Sequence, residues 1–492
     1  MSLTRKKSLT ALLSQANEHG GLKRTLTARS LIALGVGAII GAGLFIRTAA
    51  ASAEAAGPSV IMSFVVAAIG CCFAGLCYAE FAAMMPIAGS AYTYSYATMG
   101  ELTAWTIGWA LILEYALGAA TVAIGWSEYL NKLTGGAIPF EWCHSPWDMS
   151  PTGAHGIINA PAVLILLILT ALLVKGTEES ATVNSIIVAV KVVIVIVFIA
   201  IGWSFVNPAN HTPFMIPAGT PGHESFVKHG WGGMLGGAGI VFFAFIGFDA
   251  VSTAAQETKD PGRDMPRGIL GSLALCTVLY ILFGYVLTGV ANWTEFAKAG
   301  KEASVAYAVQ AHMPGFSWLA TAITVAILFG FSSVILVMLL GQSRVFYSMA
   351  KDGLLPKVFS DCHAKFCTPY KCNIILFFFV GLFAAFIPGE VTGDLTSIGT
   401  LFAFVLVCIG VWIMRRTNPE QHRPFRTPVV PLVSTMGVIV CGIMIAFLDH
   451  RTQLLALAWM AVGLTIYFLY GRTHSKLAGP TIYGKAVAEA GD

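Results

Sequence analysis

Charge is what this chain lacks most. Only 11 % of its 492 residues are Asp, Glu, Lys or Arg, against 56 % hydrophobic, and the mean hydropathy is +0.75. A soluble domain carries about a quarter of its residues as charges, so a soluble fold is excluded and the chain reads as an all-α integral membrane protein. The signatures of soluble catalysis are also missing. There is no HExxH, no P-loop lysine motif and no GxSxG, and Gly35, Gly37 and Gly41 have neither the spacing nor the preceding strand of a dinucleotide loop. No connecting stretch could hold a soluble catalytic domain, so the chain is expected to be no enzyme and to need no cofactor. Of ten cysteines, only Cys143 faces outward on the topology below, which leaves no disulfide framework. Cys362, His363, Cys367 and Cys372 share one inner loop; a thiolate metal site is conceivable there, but the spacing matches no familiar zinc pattern and no metal is expected.

What is present is a succession of apolar runs. A hydrocarbon core of roughly 30 Å needs about 20 apolar residues per helix. About twelve such runs centre near Ile40, Ile69, Ile112, Ile168, Val195, Ala244, Leu279, Leu328, Phe379, Val405, Val440 and Ala461. The first 29 residues carry Arg5, Lys6, Lys7, Lys23, Arg24 and Arg29 without an apolar core ahead of a cleavage site, so the first span should be retained. With that tail inside and twelve alternations, 22 of the 29 Lys and Arg residues fall inside, six outside, Arg47 among them, and Lys191 lies in a span. The positive-inside rule then puts both termini in the cytoplasm of a plasma (inner) membrane. The net charge of +4 follows from that orientation, and nothing points to nucleic acid. The lipid bilayer is the expected partner, with a small regulatory membrane protein left open.

Two spans are interrupted by glycine: LIALGVGAIIGAGLF from Leu31 to Phe45 and GGAGIVFFAFIGFDAVS from Gly236 to Ser252. An unbroken helix satisfies its own backbone in lipid, so glycine clusters at mid-membrane depth point to unwinding around something polar, the pattern of a transporter. The breaks open the first and sixth spans. That spacing predicts a five-plus-five inverted repeat, with a tail at 1–29, repeats at 30–206 and 232–414, two further helices at 428–471 and a tail at 472–492. At the first break Ile39, Ile40, Gly41, Ala42 and Gly43 would offer carbonyls to an ammonium and N–H groups to a carboxylate, and the second, Phe243 to Gly247, adds further carbonyls. Together they suit a zwitterion. Phe243 and Phe245 could cover it, and Asp249 could pin the second half-helix. Lys191 stands alone in an apolar span. Burying a central ammonium costs about 2.5 to 3.5 kcal/mol on insertion scales, which marks an intramembrane lysine as functional unless it snorkels to the interface. Glu114, in the third span, is the matching acid; it could pair with Lys191 directly or through water, or simply line the pathway. The inner stretches Glu257 to Arg267 and Gln342 to Lys371 read as charged loops.

With those residues in hand, the chain resembles the amino acid, polyamine and organocation superfamily of secondary transporters, most closely its bacterial cationic amino acid transporter-like branch. The resemblance spans nearly the full length. It rests on GVGAIIGAGLF, CYAEFAAMMPIAGSAYTYSYATMGE, VFFAFIGFDAVSTAAQETKDPGRDMPRGI, GQSRVFYSMAKDGLLP and IGTLFAFVLV. It implies the inverted-repeat fold of sodium-coupled neurotransmitter symporters, alternating access, and an L-amino acid bound between spans one and six. By the same resemblance the amino group would meet the carbonyls of Ile39, Phe243 and Ile246, beside Ala244, and the carboxylate the N–H groups of Ala42 and Gly43. Phe243 would be the lid and Met338 would approach the substrate side chain. Lys191 would take the place of a sodium ion in proton-coupled members, with Glu114 near it. Relatives often carry Ser or Thr where this chain has Ala42, so a side-chain hydroxyl is missing there.

The expected function is proton-coupled import of L-amino acids, broad or neutral in range, with cationic ones left open and the proton as coupling ion. The alternatives are an exchanger, a sodium symporter using Ser332 and Ser333, and, outside transport, a sensor or channel.

Overall fold

Lipid offers a backbone no hydrogen bonds, so a spanning chain must satisfy itself locally, and the structure is helical almost throughout. The computed structural model describes residues 5–7, 26–86, 90–150, 153–175, 181–299, 304–363 and 368–477. Among them β-pairing is limited to two isolated bridges. The first span is α1 (Ala28–Ile39), a break, and a second half built from π-helical and α-helical turns over Gly43–Arg47, Thr48–Ala51 and Ser52–Ala56. Then come α2 (Val60–Met84), the short α3 (Ser90–Thr98), α4 (Glu101–Leu133), α5 (Ala160–Lys175) and α6 (Ala181–Gly202). The sixth span is α7 (Gly230–Val241) followed by 3-10 turns at Phe242–Phe245 and Asp249–Glu257. The remainder is α8 (Pro261–Val290), α9 (Ser317–Lys351), α10 (Tyr370–Phe386), α11 (Gly389–Thr417), α12 (Val430–Ala446) and α13 (His450–Ile466). Eight stretches are long and apolar enough to cross a membrane, and α1, α5, α10 and α12 are shorter apolar helices. Every expected span centre falls on one of these elements or on a break.

Burial separates inner from outer helices. The most apolar window of α4 is 100 % buried, whereas those of α6 and α13 are 28 % and 22 % buried. Small residues let α4 sit at the centre. Gly108 faces Met349, Gly118 faces Met338 and Gly125 faces Ile46, so neighbouring helices approach its backbone closely. Both described ends lie on one face, hereafter the terminal face: Glu101 N–H donates to Arg5 O (2.9 Å) and Lys476 N–H to Asp352 O (3.0 Å). There Glu80 of α2 is clamped by Arg415 (2.7 and 2.9 Å) and the Thr427 N–H (2.8 Å), fastening the end of α11 and the loop after it.

Three expectations about charged segments change. Arg47 does not lie outside: the π-helical turns carry the first span on to Ala56, and the guanidinium is buried in an ion pair with Asp394 of α11. The stretch from Glu257 is a loop only to Asp260, because Pro261 fits the first helical turn, where no N–H donor is needed. Likewise α9 runs on to Lys351, so Gln342 and Arg344 are helical, and Gln342 is fully buried. Cys367 lies outside the described residues.

On the opposite face, His144 closes the loop after α4, with Nε2 2.7 Å from Glu128. Burial opposes its charge, but hydrogen bonds to Cys143 and Glu128 outweigh that and push the imidazole up to about 10. The raised folded value stabilises the loop fully below the ordinary pKa of 6.5, and the contribution declines as pH rises toward about 10. His144→Ala should therefore lower the melting temperature most below about pH 6.5, the gap closing near pH 10; thermal unfolding across that range checks it.

Candidate functional site

The two breaks meet. α1 ends where Ile40 turns away at φ −72°, ψ 98°. The sixth span ends its 3-10 turn with Ile246 at ψ 134° and passes through Gly247 at φ +114°, a conformation that L side chains rarely adopt. A Cβ on Gly43 would overlap the Ala244 backbone, and one on Gly247 would come within 2.9 Å of Ala38 O. Each break thus has a glycine where the other segment's main chain presses in. Asp249 fixes the turn by accepting the Gly247 N–H at 3.3 Å, as expected of a residue pinning the second half.

An interrupted helix exposes its last carbonyls and the first N–H groups of its continuation. Val36 O still receives the Ile40 N–H (2.8 Å). Gly37 O receives the Lys191 ammonium from α6 at 3.1 Å. Ile39 O receives the hydroxyl of Tyr280 on α8 at 2.8 Å, and that same hydroxyl is 2.8 Å from Ala244 O at the other break. A phenol has one proton, so it can donate fully to only one carbonyl at a time. Tyr280 therefore bridges the two breaks. Lys191 does not snorkel: it is 2 % exposed, and its stem lies against Gly330 of α9, where a Cβ would be 2.8 Å from Lys191 Cε. A cation is favourable at the carbonyl end of a helix, here a half-helix ending in mid-membrane. Across the gap the helix resumes at Ala42, which leaves the Ala42 and Gly43 N–H groups as its opening donors.

Around this backbone core the side chains separate by role. Phe245 packs edge-on against Phe64 and Tyr280. Phe243, also buried, makes no ring contact among the described residues. Met338 of α9 faces Gly118 of α4, with Thr396 of α11 beside it. Phe243 O already accepts the Ile246 N–H at 3.3 Å and Ile39 O the Tyr280 hydroxyl, so each retains one lone pair for a ligand.

Glu114 does not pair directly with Lys191. Both of its carboxylate oxygens are buried without a hydrogen-bond donor among the described residues, and its polar neighbours are Asp249 and Thr400. Thr400 donates to Thr396 O instead, at 3.0 Å. The reason is register: Lys191 turns toward α1 and α9, whereas Glu114 sits where α4 meets α11, with Gly399 close to the Ala110 carbonyl and the Glu114 N–H. Glu114, Gln342 and Thr400 each lie one helical turn nearer the terminal face than Gly118, Met338 and Thr396, a step of about 5.4 Å. Oδ2 of Asp249, both polar atoms of Gln342, the Tyr78 hydroxyl and Ser397 Oγ are likewise buried without partners among the described residues. The result is a buried polar layer beneath the level of Gly118 and Met338. Sequence reading missed Tyr280, Gln342 and Tyr78. A tyrosine in the apolar run LALCTVLYILFGY and the glutamine opening GQSRVFYS were the available signals.

Comparison with known proteins agrees with this geometry. Residues 26–469 match the amino acid permease family. The branched-chain amino acid permease BcaP of Bacillus subtilis (strain 168) is 41 % identical over 97 % of this chain and 99 % of its own length. A methylthioribose transporter from the same organism is 39 % identical over the same shares, 97 % and 99 %. The vacuolar cationic amino acid transporter 2 of Arabidopsis thaliana is 34 % identical over 90 % of this chain and 67 % of that protein. With broken spans in contact and a match covering nearly its whole length, the chain belongs to the amino acid permease family of multi-pass membrane transporters.

Proposed function

We propose that the protein imports L-amino acids across the plasma membrane by proton-coupled alternating access, with both termini in the cytoplasm. The observation that carries this reading is the Lys191 ammonium on Gly37 O, at the end of the first half-helix and within a few residues of the Ala42 and Gly43 donors. A protonated Lys191 holds that end and keeps the zwitterion site assembled. Loss of the proton toward the cytoplasm removes the cap, loosens the half-helix and favours release. The amino group would use the remaining lone pairs of Ile39 O and Phe243 O, with the Ile246 carbonyl beside them. The carboxylate would use Ala42 and Gly43 N–H, so binding there depends on main-chain donors. Phe243 covers the ligand and Met338 bounds its side chain. Ile40 and Gly41 shape the gap, and Ala244 holds the facing strand of backbone.

Sodium coupling is disfavoured because an ammonium already lies between Gly37 and Gly330, and the Ser332 hydroxyl is bonded to Leu328 O (2.9 Å) within its own helix. Side-chain range follows from the two layers. Branched or small apolar side chains fit against Met338, and a long cationic one reaches a turn deeper, to Glu114 and Asp249, which Lys191 does not neutralise. Relatives named for branched-chain and for cationic amino acids support both ends of that range. Glu114 then serves as a second proton carrier whenever no cationic side chain occupies it.

In proteoliposomes with an inward proton gradient, Lys191→Ala should abolish accumulation of labelled leucine while wild type accumulates it with or without sodium. Accumulation surviving in the variant overturns proton coupling through Lys191, and counterflow without accumulation in wild type identifies an exchanger. Tyr280→Phe should raise KM about fivefold, the effect of losing one hydrogen bond worth about 1 kcal/mol. Competition by unlabelled arginine against labelled leucine should weaken in Glu114→Gln, while competition by valine stays as in wild type.

A further inference from the structure

At the terminal-face end of α8 a groove of about 810 Å³ opens on the outer wall of the bundle. Arg263 and Arg267 line one side, one helical turn apart, and Pro424 and Phe425, from the loop between α11 and α12, line the other. The walls are fixed by close packing, since a Cβ on Gly262 would come within 2.6 Å of the Pro424 ring. Both arginines are exposed, and among the described residues neither guanidinium has a hydrogen bond or an ion pair. Other arginines of this face are engaged: Arg415 and Arg423 on Glu80, and Arg416 over the Trp412 ring. Toward the membrane interior the same face of α8 continues as hydrocarbon through Leu270, Ala274 and Val278 (56 % exposed), spaced four residues apart. The sequence motif ETKDPGRDMPR, read first as a charged loop, thus places two exposed cations, unpaired among the described residues, at the end of an apolar stripe on the outer wall.

We propose that this groove is a binding site for one anionic phospholipid of the leaflet on the terminal face. The phosphate sits between Arg263 and Arg267 and an acyl chain runs down Leu270, Ala274 and Val278. Asp260 at the groove's outer end leaves a net charge of +1 among the lining residues, enough to favour an anionic head over a zwitterionic one. The apolar run below, with Phe425 opposite, favours a lipid over a soluble phosphate, because guanidinium contacts alone would hold either. The site is independent of how transport is coupled.

Native mass spectrometry of the full-length protein in detergent tests this, with phosphatidylglycerol, phosphatidylcholine and glycerol phosphate as probes. Wild type should retain phosphatidylglycerol about fivefold better than phosphatidylcholine and should not hold glycerol phosphate, since a net interfacial charge of +1 contributes on the order of 1 kcal/mol. Arg263→Gln with Arg267→Gln should abolish the preference, and Arg416→Gln should keep it. Arg263→Lys with Arg267→Lys should keep most of it, which separates loss of charge from loss of fold. Equal retention of phosphatidylglycerol by the double glutamine variant, or equal retention of glycerol phosphate by wild type, overturns the proposal.

Discussion

The Lys191 ammonium resting on Gly37 O is the contact on which the site depends. A helix that stops in mid-membrane leaves carbonyls that neither water nor lipid can satisfy, each costing several kcal/mol if left bare. The chain answers with a cation and a phenol, Lys191 on Gly37 O and Tyr280 on Ile39 O. Neither partner belongs to the broken span. The break is therefore held by α6 and α8, and under the proposed function any change in the charge of Lys191 acts directly on the end of that half-helix.

Flanking ion pairs confine that sensitivity to the centre. Arg47 and Asp394 tie the second half of the first span to α11 on one side of the breaks, while Glu80 and its arginines tie α2 to α11 at the terminal face. Removing one member of a buried pair costs about 3 to 5 kcal/mol because the other is left as a bare charge. These are stiff points. Between them lies the layer of Glu114, Asp249, Gln342 and Tyr78, whose buried polar atoms lack partners among the described residues. Buried polar atoms of that kind are stable only where protons, water or ligand satisfy them.

The breaks were legible in sequence because glycine is the residue that permits both the turn at Gly247 and the backbone contact at Gly43. Lys191 and Glu114 were legible because charge is rare in an apolar span. Their partners were not. Pairing Lys191 with Glu114 followed from opposite charge alone, whereas the direction of each side chain depends on helix rotation. Tyr280 lies 241 residues from the carbonyl it satisfies, and periodicity carries no information over that separation. Arg47 was misplaced for a local reason: π-helical turns after the break carry the span deeper than its apolar run indicates.

The central claim is that a charged Lys191 orders the first break. Hydrogen exchange of the peptide covering Val36 to Phe45, measured across pH in wild type and in Lys191→Met, tests it most directly, since methionine fills the same slot without charge. The account predicts faster exchange in the variant, matching wild type only at high pH, where wild type has itself lost the proton. Equal, pH-matched protection of that peptide in both proteins would contradict it.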